Sequence, residues 1–121
     1  MSWRAAMHEI SLAVDILRMV EAAAEREHFK RVGQLRLEAG ALACIELQAL
    51  RFALAAMAPG TCLDGAEIII VETPGTAWCQ GCKEVVSIDN HTEPCPRCGA
   101  YPLRTTGGTD LRVLDLMVFD D

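Results

Sequence analysis

Four cysteines constrain this chain more than anything else in it. The stretch "WCQGCKEVVSIDNHTEPCPRCGAY", residues 78–101, places Cys79, Cys82, Cys95 and Cys98 as two CxxC pairs with twelve residues between them. Two residues between cysteines let one tight turn aim both sulfurs at a single ion, and the turn's own N–H groups donate to the thiolates. Gly81 and Gly99 offer the backbone freedom such turns use. Two turns complete a tetrahedron. Four thiolates suit Zn²⁺, whose filled d shell imposes no geometry of its own, although iron accepts the same ligands. A site with all four positions filled by protein is closed, so it reads as structural and not catalytic. Two copies of the pair, with Pro94 and Pro96 around the second, argue against a redox CxxC. From 77 to 101 the chain has too few apolar side chains to bury a core, so metal binding must supply folding free energy there. Val85, Val86 and Ile88 give the linker strand material for a small ribbon.

The flanking segments carry two kinds of periodicity. Ile10, Ala13, Val14, Leu17 and Val20 recur at three and four, the pattern of an amphipathic helix ending near His28. Leu35, Leu37 and Ala39 then alternate with Gln34, Arg36 and Glu38, which predicts a half-buried strand over about 32–39. Helical spacing returns from Ile45 through Leu47, Leu50, Leu54 and Met57 until Pro59 and Gly60 stop it. "AEIIIVE", 66–72, is short, β-branched and bounded by Gly65 and Pro74, so it reads as a buried strand. After "TTGGT" a last strand, 111–118, closes the chain. A lone strand is not stable, so it must return to the first sheet and make the cysteine segment an insertion. The expected fold is α+β: a small mixed three-stranded sheet packed with two helices, with an inserted four-cysteine zinc-ribbon lobe. The expected domains are 1–76 with 102–121, interrupted by 77–101.

Composition excludes several functions. At 121 residues, 51% of them apolar, the chain suits one domain with a real core and a metal-stapled appendage. A net charge of -6, with basic residues scattered among acidic ones, argues against a nucleic-acid partner. No apolar run approaches the roughly eighteen residues that span a bilayer. The N-terminus lacks a secretory pattern, which predicts a cytoplasmic protein. There is no Ser/His/Asp set, no phosphate-cradling glycine loop and no carboxylate pair with a cleft, so an enzyme is not expected. Cys44 and Cys62 read as small buried hydrophobes, His28 as a helix-end residue favoured by the dipole, and His91 as an exposed linker residue. His8 and Glu9 stand directly before the first apolar stripe. Taken alone, they are either solvated first-turn residues or metal ligands.

Several segments occur together: MHEISLA, "RLEAGALACIELQALRFALAAMAPGT", "AEIIIVE", "CQGC", "CPRCG" and "GGTDLRVLDLMV". In that order they resemble the HypA/HybF family of hydrogenase-maturation nickel metallochaperones, over residues 7 to about 118. The resemblance implies a transient Ni²⁺ site built around His8, with Glu9 and Met7, beside one structural Zn²⁺ per chain on Cys79, Cys82, Cys95 and Cys98. It implies a hydrogenase-maturation GTPase and the [NiFe]-hydrogenase large subunit precursor as partners and, in some organisms, urease maturation proteins, with no nucleic acid and no membrane. Ni²⁺ is well served by a planar set of nitrogen donors, which an amine, neighbouring amides and an imidazole supply once the amides lose their protons. Glu9 would add an oxygen donor or orient the ring. One departure bears on this set: "MSWRAA" precedes Met7, and in a chain starting at Met1 the amine at Met7 is an amide. The competing reading is a zinc-ribbon adaptor that binds protein or nucleic acid and has no exchangeable metal.

Overall fold

A computed structural model describes the backbone of residues 3–119 and the side chains of residues 8–119. The first helix, α1, runs Trp3–Glu27. Its buried positions, Ala13, Ile16, Val20 and Ala24, keep the spacing of three and four that the sequence set. At its end His28 adopts φ 62°, and the Phe29 N–H reaches back to the Ala24 carbonyl at 3.1 Å. This is a Schellman-type stop, with a histidine in the left-handed position that glycine usually takes. His28 thus sits at the helix end, as expected, and its backbone conformation ends the helix.

Strand β1, Arg31–Gly40, buries Leu35, Leu37 and Ala39 and leaves Gln34, Arg36 and Glu38 half-buried. A 3₁₀ turn over Ala41–Ala43 follows. Helix α2, Leu47–Met57, starts at Glu46, whose own carboxylate accepts the Gln48 N–H at 2.9 Å. It buries Leu50, Ala53 and Leu54 and packs on α1. Each buried leucine contributes about 1.5–3 kcal/mol relative to exposure. The strands β2 (Glu67–Thr73), β3 (Gly75–Cys79), β4 (Glu84–Ile88), β5 (Arg104–Gly107) and β6 (Leu111–Phe119) complete the chain.

The sheets are ordered β2-β1-β6 and β4-β3-β5. The last strand therefore returns beside the first, as a lone C-terminal strand must. Partner numbers on β6 fall as those on β1 rise: Lys30 N–H to the Phe119 carbonyl, Arg36 to Asp115, Glu38 to Arg112, Gly40 N–H to the Asp110 carbonyl. That is antiparallel pairing. The second sheet is larger than the ribbon expected from Val85, Val86 and Ile88. β3 pairs antiparallel with β4, from Gly75–Ile88 to Cys79–Glu84, and with β5 on its other side.

The chain divides into two compact units. One comprises Met1–Leu37, Ile45–Ile70 and Val113–Asp121; the other comprises Glu38–Cys44 and Val71–Arg112. The cysteine-bearing unit therefore reaches well beyond residues 77–101. Its core gathers Leu42, Ala77, Cys79, Val86, Ile88 and Cys95. Leu42, from the 3₁₀ turn, supplies apolar volume that the cysteine segment lacks. It fits because residue 75 is glycine: a Cβ there would lie 2.5 Å from Leu42 Cγ and 2.6 Å from the Ile88 carbonyl oxygen.

Candidate metal centre

Two turns of similar design present the four sulfurs. In the first, β3 delivers Cys79, the Lys83 N–H donates to the Cys79 carbonyl at 2.8 Å, and the Cys82 N–H donates to Cys79 Sγ at 3.4 Å. In the second, the Gly99 N–H donates to the Cys95 carbonyl at 2.9 Å and the Arg97 N–H to Cys95 Sγ at 3.4 Å. The left-handed residue is Lys83 (φ 55°) in the first turn and Gly99 (φ 76°) in the second. Gly81 is there for room instead, since its Cβ would come within 3.2 Å of Cys98 Sγ.

Cys79 Sγ lies 3.5 Å from Cys98 Sγ, and Cys82 Sγ 3.8 Å from Cys95 Sγ; all four sulfurs fall within 4.8 Å of one another. With metal–sulfur bonds of about 2.3 Å, the edge of a tetrahedron is about 3.8 Å. The four side chains therefore fit one tetrahedral ion. N–H donors from Cys98 and Arg97 hold the Cys95 thiol down to about 6, whereas the hydrogen bond with Cys98, followed by burial, pushes Cys82 up to about 12. Cys95 is thus favoured as a thiolate, whereas a cation is needed to draw the proton off Cys82.

His8 and Glu9 occupy opposite environments. α1 begins at Trp3, so both residues lie within the helix and not ahead of it, because nothing in "MSWRAA" breaks a helix. His8 is exposed, and its imidazole makes no hydrogen bond or ion pair among the described residues. Glu9 is 1% exposed; its Oε2 accepts the Glu46 N–H at 2.9 Å, while Oε1 is buried with no hydrogen-bond partner among the described residues. The Met7 side chain lies outside the described residues. Helical N–H groups donate to carbonyls four residues back, so a donor set that includes the amides of His8 and Glu9 would require the start of α1 to open.

The remaining candidates separate as well. Cys62 is buried as expected, and burial, followed by the nearby Glu21 carboxylate, pushes its thiol up. Cys44 is exposed, contrary to its reading as a buried hydrophobe. The 3₁₀ turn ends at Cys44 with φ 57°, which turns the side chain out of the core. His91 is exposed as expected, and its Nε2 lies 3.0 Å from the Leu42 carbonyl oxygen, a contact no local pattern announces.

Two helices, two three-stranded sheets and a cluster of four sulfurs spaced for one ion define a small α+β protein with a candidate metal centre. A family model described as hydrogenase/urease nickel incorporation, metallochaperone, HypA matches residues 7–118, and the chain belongs to that family. It is 54% identical over 115 residues to the hydrogenase maturation factor HypA of Polaromonas naphthalenivorans, covering 95% of this chain and 100% of the relative. It is 54% identical over 114 residues to that of Cupriavidus necator, covering 94% and 96%. The fold is similar to the solution structure of the Ni metallochaperone HypA from Helicobacter pylori, with a TM-score of 0.66 at 16% identity over 93% of this chain and 98% of that one. It is also similar to a second solution structure of a HypA protein, with a TM-score of 0.68 at 18% identity over 95% and 98%. No helix among the described residues is long and apolar enough to cross a membrane.

Proposed function

We propose that this chain is a cytoplasmic nickel metallochaperone that binds Ni²⁺ through His8 and passes it on for maturation of the [NiFe]-hydrogenase large subunit precursor, in company with a maturation GTPase. Urease maturation proteins are further recipients in this reading. The four cysteines hold a structural Zn²⁺, so 77–101 serves as the zinc-binding insertion and 1–76 with 102–121 as the nickel-binding part. Family membership over residues 7–118 supports the nickel reading. The observation that carries it to particular residues is the contrast between a closed four-sulfur cluster and an exposed, unengaged imidazole at His8.

A cargo site must release what it binds, and an exposed ring with open coordination positions can do so. A tetrahedral thiolate cage cannot readily do so. Met7 and Glu9 belong to the same nickel site, with Glu9 holding this part of α1 against Glu46 and keeping one oxygen unspent. Such anchoring from below is the usual way a protein fixes a ligand's position. The N-terminal amine, if cleavage or an internal start at Met7 frees it, would add a nitrogen donor.

Equilibrium dialysis of zinc-loaded protein against Ni²⁺ tests the reading. Exchangeable nickel retained beyond the zinc, removed by a competing chelator and reduced by one equivalent in His8→Ala, is the expected result. A zinc-ribbon adaptor would lose no nickel on that substitution.

A further inference from the structure

We propose a second metal site, outside the four-cysteine cluster, formed by Cys44 Sγ, His91 Nε2 and the carbonyl oxygen of Leu42, and suited to a borderline divalent cation such as Ni²⁺ or Zn²⁺. All three groups belong to the same compact unit. Cys44 Sγ lies 3.7 Å from the Leu42 oxygen and His91 Nε2 lies 3.0 Å from the same oxygen. Around one ion with bonds of about 2.3 Å to sulfur and about 2.0–2.2 Å to nitrogen and oxygen, neighbouring ligand atoms sit about 3–3.7 Å apart. Both separations match, and each is a hydrogen-bond contact to the Leu42 oxygen that a bound ion would replace. Sulfur, imidazole nitrogen and carbonyl oxygen together form a mixed donor set that a borderline ion accepts better than a hard one such as Mg²⁺.

The fold holds the donors in place before any ion arrives. Leu42 is fixed by its buried side chain and by its N–H, which donates to the Gly108 carbonyl at 2.8 Å, so its carbonyl direction is set. His91 sits in a turn tied by Asn90, whose Oδ1 accepts the Thr92 N–H at 3.0 Å and the Thr92 hydroxyl at 2.8 Å. The same turn carries two carboxylates: the Glu93 side chain accepts the Asp89 N–H at 2.7 Å, and Asp89 is its neighbour. Their negative charge favours a cation nearby. Cys44 and His91 are both exposed, which provides a path for entry.

Binding would release the Cys44 thiol proton to solvent, a neutral His91 ring would carry its proton on Nδ1 so that Nε2 is free to ligate, and water would fill the remaining positions. Three protein donors make the site open and exchangeable. It does not depend on nickel binding at His8.

The test titrates zinc-loaded full-length His8→Ala protein with Ni²⁺, reading thiolate-to-metal charge-transfer absorption while a chromophoric chelator reports zinc release. A charge-transfer band without zinc release is expected, with Cys44→Ser abolishing it and His91→Ala weakening the titration about tenfold or more. Zinc content of both variants should equal that of the parent, since both residues are exposed. No band, a band that appears only as zinc is lost, a band that survives Cys44→Ser, or an unchanged titration in His91→Ala would each overturn the proposal. Because His8 contributes no sulfur, the band separates this site from the nickel site proposed above: loss of one leaves the other standing.

Discussion

Glu9 and Glu46, far apart in sequence, act in series at the start of α2: the buried Glu9 carboxylate accepts the Glu46 N–H at 2.9 Å, and the Glu46 carboxylate accepts the Gln48 N–H at 2.9 Å. Side-chain acceptors at a helix start satisfy N–H groups that have no partner within the helix. Glu9→Ala would take from the Glu46 N–H its charged acceptor and open a small cavity where the buried side chain sits, at a cost of about 1–3 kcal/mol in urea unfolding. Glu9→Gln, which keeps an acceptor oxygen and the volume, should lose less. The adjacent His8→Ala, at an exposed position, should change stability by less than about 0.5 kcal/mol. Equal losses for His8→Ala and Glu9→Ala would contradict the opposite burial of the two residues.

Replacing Cys95 by serine removes one of the four sulfurs, the one whose ionisation the N–H donors of its own turn favour. Zinc content should fall below one per chain, and limited proteolysis should cut within 71–112 while most of the helical circular-dichroism signal survives. A cleavage pattern identical to that of the parent would show that the metal does not hold this unit together.

Truncation after Thr106 removes β6 and with it the Arg36–Asp115 and Glu38–Arg112 ion pairs beside β1. It also removes Leu111, Val113, Leu114 and Leu116, all half-buried. The shortened chain should lose the cooperative thermal transition of the full chain. An unchanged Tm would mean that β6 is not an integral strand of the sheet.

Burial, helped by Glu21, raises the ionisation of Cys62 above its ordinary range. An unfolded thiol ionises at about pH 8.5. The folded state therefore holds the Cys62 proton more tightly than the unfolded one. The resulting stabilisation is complete below the unfolded value and is lost as pH rises through the folded one. The stability difference between the parent and Cys62→Ala should be largest near pH 7 and narrow above about pH 9. A difference that stays constant over that range would show that the thiol is not selectively protonated in the fold.

Much of the architecture was legible because its signals are local. The helical spacing of Ala13, Ile16 and Val20, the alternation through Leu35, Leu37 and Ala39, and the two CxxC turns each lie within a few residues of sequence. What escaped depends on distant partners. β3 and β5 are short and partly polar, and they become strands only when Ala77 meets Val86 on one side and Thr105 on the other. Leu42 looks like a residue of the first segment until the fold places it among Val86 and Ile88. His8 and Glu9 read as residues ahead of a helix because the apolar stripe begins at Ile10, yet helix formation needs no stripe, and α1 extends back to Trp3. The cap that Glu9 provides to Glu46 has no short-range signature at all.

The most direct measurement is calorimetric titration of Ni²⁺ into zinc-loaded parent and His8→Ala proteins side by side, each prepared both from Met1 and from Met7. The parent should bind one nickel in its tighter event, more strongly when Met7 carries the free amine, and His8→Ala should lose that event with zinc content and Tm unchanged. If His8→Ala binds the first nickel as tightly as the parent in both lengths, His8 does not hold the cargo.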